Sequence, residues 1–119
     1  MQGYETVVVL QPNVTETEQK DLLEKFSGVV KTHGGKVVGA ATWGRRKLGY
    51  TVGKHDYGIY HLLYLDRTPA SLKELDTQLR HNESVILWQS VAVNDVQKEM
   101  ADFERLKTEG TLTPQTPEI

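Results

Sequence analysis

The 119-residue sequence contains no cysteine, which excludes both a disulfide framework and a thiolate metal site. No apolar run approaches the about 18 residues that a membrane-spanning helix requires. The four histidines lack metal-ligand spacing, and no G-x-S-x-G elbow or glycine-rich phosphate loop is present. We therefore expect a soluble, intracellular protein, and these patterns give little support to an enzyme or a metal site.

Carboxylates are also absent from one long stretch of the chain, between Lys31 and His55. The formal net charge is −2, yet residues 1–94 hold ten carboxylates against eleven lysines and arginines. The acidity therefore comes from residues 95–119, and the rest of the chain is nearly neutral with a basic middle.

The densest cations lie in the segment WGRRKLGYTVGK, residues 43–54. Cations attract phosphates without regard to base sequence, and aromatic rings offer stacking surfaces to unpaired bases. This pattern predicts an RNA-binding segment whose candidate residues are Trp43, Arg45, Arg46, Lys47, Tyr50 and Lys54. Two alternatives stay open: the cations form a solvated arm that discourages edge pairing, or the two aromatic residues only brace the segment.

The order of predicted elements is β-α-β-β-α-β. Strands are expected over residues 4–10, 36–43, 58–66 and 85–93, where β-branched and apolar residues cluster. The basic segment lies between the second and third strands, so these two are expected to form a long hairpin with the cations along its arms and tip. Thr15 and Glu18 form a capping box that opens the first helix, and Thr68 followed by Pro69 opens the second. This order predicts an α+β, ferredoxin-like domain over residues 1–94, with a four-stranded antiparallel sheet and two helices on one face.

The alternation of the third strand divides its side chains between two sheet faces. We expect a core between sheet and helices made of Val8, Leu10, Phe26, Val30, Val37, Leu65, Leu75 and Leu79. The opposite face is expected to be open, with Tyr60, Leu62 and Tyr64 as an exposed stripe that binds a protein partner. His61, in the middle of this apolar strand, is expected to be structural.

Two further segments follow the predicted domain. Val96, Met100, Phe103 and Leu106 recur at helical spacing, which indicates a short helix over residues 95–109. Residues 110–119 carry too little apolar surface to fold and are expected to form a disordered tail.

These residues resemble the bacterial small-subunit ribosomal protein six family. The similarity lies in the opening strand from Tyr4-Glu5 to Pro12, in the segment Trp43-Gly44-x-Arg46-x-Leu48-x-Tyr50-x-Val52-x-Lys54, and in Gly58 at the start of the third strand. The resemblance implies a cytoplasmic, ribosome-associated protein that is not an enzyme. It also implies no metal, cofactor, membrane partner or small-molecule substrate. It implies binding to the central domain of small-subunit ribosomal RNA, together with small-subunit ribosomal protein eighteen.

One departure concerns the last strand, where Leu87 replaces an arginine that is frequent in the family. A cationic RNA contact from that strand is therefore not implied for this chain. Two other functions compete with the ribosomal one on the same predicted fold: a dimeric regulatory domain that binds a small metabolite, and an enzyme of acylphosphatase type.

Overall fold

Four antiparallel strands form a single sheet, with helices on both of its faces. A computed structural model of the protein describes residues 1–109, with side chains through residue 105. The elements are β1 (Gly3–Leu10), α1 (Glu16–Thr32), β2 (Val37–Val52), β3 (His55–Asp66), α2 (Pro69–Arg80), β4 (Val85–Val93) and α3 (Val96–Glu109). The strand order β2-β3-β1-β4 confirms the ferredoxin-like prediction. The tail expected over residues 110–119 lies outside the described residues.

The helix starts follow the sequence signals closely. The Thr15 hydroxyl accepts a hydrogen bond from the Glu18 amide at 3.2 Å, and the Thr15 amide donates to Glu18 Oε1 at 3.3 Å, which completes the capping box. Thr68 is the N-cap residue of α2, but its hydroxyl makes no capping bond to the helix. It donates instead to Asp66 Oδ1 at 3.0 Å, so the junction between β3 and α2 is fixed by this contact.

The main core lies between the sheet and the helices α1 and α2. Seven of the eight predicted core residues are buried in this cluster, whereas Val37 is half-buried at its edge. Ile59, Leu63 and Leu65 of β3 point into the same cluster. His61 also lies on this side, where its Nε2 and the Gln19 Oε1 are 3.0 Å apart. The predicted division of β3 between the two sheet faces is therefore correct.

The prediction that the second sheet face is open is wrong. Tyr60, Leu62 and Tyr64 are only 1%, 4% and 1% exposed, respectively. Two parts of the chain cover them: the β2–β3 hairpin contributes Leu48 to a cluster with Tyr60, and α3 packs against Leu62 and Tyr64. The alternation of β3 gave the correct faces, but it carried no information about these distant covers.

The β2–β3 hairpin is much longer than the two predicted strands. The basic segment is itself strand, and only Gly53 and Lys54 lie between Val52 and its partner His55. Gly53 has φ 58, a conformation that glycine adopts at little cost. A second positive φ, at Gly44, accompanies a register shift between Thr42 and Gly44. This bulge bends β2 just before the densest cations.

Candidate nucleic-acid interface

The hairpin holds four of its cationic side chains in solvent. Arg45, Arg46 and Lys47 are consecutive exposed residues of β2, and Lys54 is exposed in the turn. Within the described part of the chain, none of the four takes part in an ion pair within 4.0 Å. The nearby carboxylate of Asp56 accepts a hydrogen bond from the Thr51 hydroxyl at 2.7 Å. Positive charge is therefore concentrated on this arm without a paired acid, as phosphate binding requires.

Tyr57 is part of this surface, although it was not among the candidate residues predicted from the sequence. The Arg45 guanidinium lies over the Tyr57 ring, 4.9 Å from the ring centroid. The Tyr57 side chain remains 43% exposed. Its pairing position opposite Lys47 places it among the cations, and the alternation of the hairpin was the signal that could have identified it. An exposed ring next to an arginine offers a stacking surface for a base.

The other two aromatic candidates differ from each other. Tyr50 is 45% exposed near the end of the hairpin, on the same arm as the cations. Trp43 is half-buried, and its ring meets the Phe103 ring edge to face at a centroid distance of 5.0 Å. Because this contact ties the Trp43 ring to α3, we expect Trp43 to brace the hairpin.

The hairpin is anchored by one apolar residue among the polar ones. Leu48 is 5% exposed and belongs to a buried cluster with Val9, Tyr60 and Leu87. Leu87 is fully buried there. An apolar residue at position 87 thus gives Leu48 a surface on which to pack, and this contact orients the neighbouring cations.

The remaining titratable groups give no support for catalysis. Burial lowers the pKa of His61, so the imidazole is held neutral beside Gln19 in the core. In the range 1–109, no group of three or more His, Asp or Glu side chains is arranged to hold a metal ion. None of the helices described there is long and apolar enough to cross a membrane.

Comparison with known proteins agrees with the geometry. The family model described as ribosomal protein S6 matches residues 3–92. The chain is 45% identical to the small ribosomal subunit protein bS6 of Streptomyces coelicolor and 45% identical to that of Nocardia farcinica. Each match covers 86 residues, 72% of this chain and 90% of the relative.

A solved structure is similar as well. The crystal structure of 30S ribosomal protein S6 from Thermotoga maritima superposes with a TM-score of 0.73 and 28% sequence identity. The match covers 87% of this chain and 98% of that one. The resemblance noted from the sequence is confirmed by these matches.

Proposed function

Because the chain belongs to the ribosomal protein S6 family of the small ribosomal subunit, we propose that its basic hairpin binds the central domain of small-subunit ribosomal RNA. The partner in this assembly is small-subunit ribosomal protein eighteen. The members of this family are structural proteins of the cytoplasmic ribosome and not enzymes. The acylphosphatase alternative is therefore wrong for this chain.

The proposal depends mainly on one observation: four exposed cations on a single hairpin, with no ion-paired acid in the described part of the chain. Arg45, Arg46, Lys47 and Lys54 are assigned to phosphate contacts. Tyr50 and Tyr57 are assigned to base or sugar contacts, since both rings are exposed beside these cations. Trp43 acts indirectly, because it holds the hairpin against α3.

The test is the salt dependence of RNA binding. Neutralised phosphates release counterions, so the slope of log affinity against log salt reports the number of phosphate contacts. Replacing Arg45 and Arg46 together by alanine is expected to reduce that slope by roughly one to two contacts. Fluorescence anisotropy of a labelled central-domain fragment, with ribosomal protein eighteen present, measures both affinity and slope.

A matched control removes two cations from elsewhere on the protein. Lys25 on α1 and Lys73 on α2 are exposed. Both helices lie on the sheet face opposite the one that α3 covers. The double variant Lys25→Ala and Lys73→Ala changes the net charge by the same amount as the hairpin variant. It therefore corrects for the long-range electrostatic attraction between the whole protein and RNA. Equal slopes in the two double variants would exclude the hairpin as the RNA-binding site.

A further inference from the structure

One acidic side chain, Asp56, lies on the hairpin among the cations assigned to RNA. It is exposed, and it forms no ion pair within 4.0 Å with any residue that the structure describes. A carboxylate on a phosphate-binding surface repels the phosphates, so it weakens binding unless it makes a contact of its own with the RNA. Phosphate binding alone therefore does not account for Asp56.

The hairpin opens around Asp56. Between two cross-strand pairs, Lys47 with Tyr57 and Val52 with His55, β2 has four residues and β3 has only Asp56. An unequal count of this kind is a bulge, which bends the strand locally and redirects its side chains. The opening forms a concavity of about 420 Å³. Its lining includes Lys47, Tyr50, Thr51, Asp56 and Tyr57.

The Asp56 carboxylate is held in place and still has acceptor positions to offer. Its Oδ1 accepts a hydrogen bond from the Thr51 hydroxyl at 2.7 Å, which fixes the side chain across the bulge. No side chain or backbone group within residues 1–105 donates a hydrogen bond to its Oδ2. An ionised carboxylate has about four lone-pair sites and accepts two parallel hydrogen bonds readily. A ligand with two adjacent N–H donors fits this acceptor.

Guanine is the RNA base with that donor pattern. Its Watson–Crick edge presents N1–H beside the 2-amino group. In adenine and cytosine a ring nitrogen that only accepts lies next to the amino group, and in uracil one N–H stands between two carbonyl oxygens. Proteins read these edges in unpaired bases, whose rings also stack on aromatic side chains. Tyr50 and Tyr57, which are 45% and 43% exposed, line the same concavity as Asp56.

We propose that this concavity binds an unpaired guanine of the RNA, and that Asp56 selects guanine over the other bases. The two carboxylate oxygens accept hydrogen bonds from N1–H and the 2-amino group, and Tyr50 or Tyr57 stacks on the base. Thr51 is a positioning residue, because its hydroxyl orients the carboxylate. The proposal rests on the proposed function, since the cations of the hairpin bind the phosphates next to that guanine.

The test uses labelled RNA octamers that carry one guanine, adenine or inosine in a run of uridines. Fluorescence anisotropy with the full chain gives the affinities, in EDTA so that no Mg²⁺ bridges a carboxylate to a phosphate. The guanine octamer is expected to bind about five- to tenfold more tightly than the adenine octamer, the lower part of the range for one bidentate contact, because the site is exposed. Inosine, which lacks the 2-amino group, should fall between them. Equal affinities for guanine and adenine would overturn the proposal.

Asp56→Asn keeps the shape of the side chain but replaces one acceptor by a donor. It is expected to remove the guanine preference, measured as the ratio of the guanine and adenine affinities. Glu83→Gln, at an exposed position in the turn before β4, changes the net charge equally and should keep the ratio. A ratio that survives Asp56→Asn, or that Glu83→Gln also removes, would contradict selection by Asp56.

The positioning role of Thr51 has its own pair of variants. Thr51→Val removes the hydroxyl and should lower the guanine preference, whereas Thr51→Ser keeps the hydroxyl and should preserve it. An equal preference in the two variants would show that the hydrogen bond to Asp56 does not prepare the site.

A free guanine nucleotide presents the same base edge as RNA, so guanosine monophosphate is titrated as a competitor. The guanine octamer is expected to bind about tenfold more tightly or better, because it also brings phosphates to the cations of the hairpin. Equal affinities would assign the concavity to a free nucleotide and overturn the choice of RNA.

The double variant Arg45→Ala and Arg46→Ala separates this proposal from the proposed function. It is expected to weaken binding of every octamer and to leave the guanine preference unchanged. A salt slope that this variant does not reduce would count against the proposed function. Salt-dependent binding without a guanine preference in the unaltered chain would instead overturn the guanine site alone.

Discussion

The ring of Trp43 in the basic hairpin meets the ring of Phe103 in α3 edge to face, with the two planes inclined at 77°. The two residues are sixty positions apart in the sequence, and they belong to the two elements that cover the second sheet face. Because edge-to-face pairs favour one mutual orientation, this contact couples the position of the hairpin to the presence of α3.

Removal of this contact should release α3 without unfolding the domain. Phe103→Ala is expected to lower the free energy of unfolding by about 1–3 kcal/mol, less than for a residue in the main core, because α3 is able to detach locally. Hydrogen exchange should show loss of protection in α3, with protection in β1 and β3 retained. If β1 exchanges as fast as α3 in the variant, α3 is an integral part of the fold and not a separable cover.

A truncation in the main core should lower the free energy of unfolding more than Phe103→Ala does. Leu75 is fully buried between the sheet and α1, so Leu75→Ala is expected to cost about 2–5 kcal/mol in the free energy of unfolding. Leu72→Ala is the control, because Leu72 lies on the same helix but is only half-buried. Urea denaturation gives both values, and an equal cost for the two leucines would contradict the packing described for α2.

Leu48 should affect RNA binding although it carries no charge. Leu48→Ala removes buried apolar contacts with Val9, Tyr60 and Leu87, so we expect a loss of stability of about 2–4 kcal/mol. RNA affinity should fall because the cations lose their fixed orientation, while the salt slope stays near that of the unaltered protein. Lys47→Ala, at the adjacent exposed position, should show the reverse: unchanged stability and a smaller slope.

His61 should make the protein less stable in acid. Burial lowers its pKa below the ordinary 6.5, so the folded state favours the neutral imidazole. The unfolded chain then binds more protons, and the contribution of His61 is complete above pH 6.5 and lost as the pH falls through the lowered pKa. Denaturant midpoints measured across this interval should fall less for His61→Gln than for the unaltered chain. His33→Gln, at an exposed position, is the control and should follow the unaltered chain.

The order of the elements was readable from the sequence because each signal was local. The capping box at Thr15, the Thr68-Pro69 start and the alternation of β3 all act within a few residues. The faces of β3 were predicted correctly for the same reason. The domain predicted over residues 1–94 did not include α3, because the apolar spacing of this helix was visible in the sequence but its contact surface was not.

The candidate site was predicted less completely. The cations were identified by the missing carboxylates, and this is a compositional signal that needs no structure. The long hairpin was predicted, but its second strand was expected to end at residue 43 and continues to Val52. Glycine and charged residues are poor strand formers, and only the pairing with β3 overrides that preference. The burial of Tyr60, Leu62 and Tyr64 was missed because the covering residues are remote in the sequence.

The packing of Leu48 on Leu87 has a consequence for the order in which parts of this protein fold during synthesis. The hairpin leaves the ribosome about 20 residues before β4, and domains generally fold as units once their chain is available. The basic hairpin is thus translated early, but Leu48 can pack on Leu87 only when β4 has emerged. Under the proposed function, a nascent chain would acquire the shape of its RNA-binding hairpin late, and premature capture of RNA by an unfinished protein would be disfavoured.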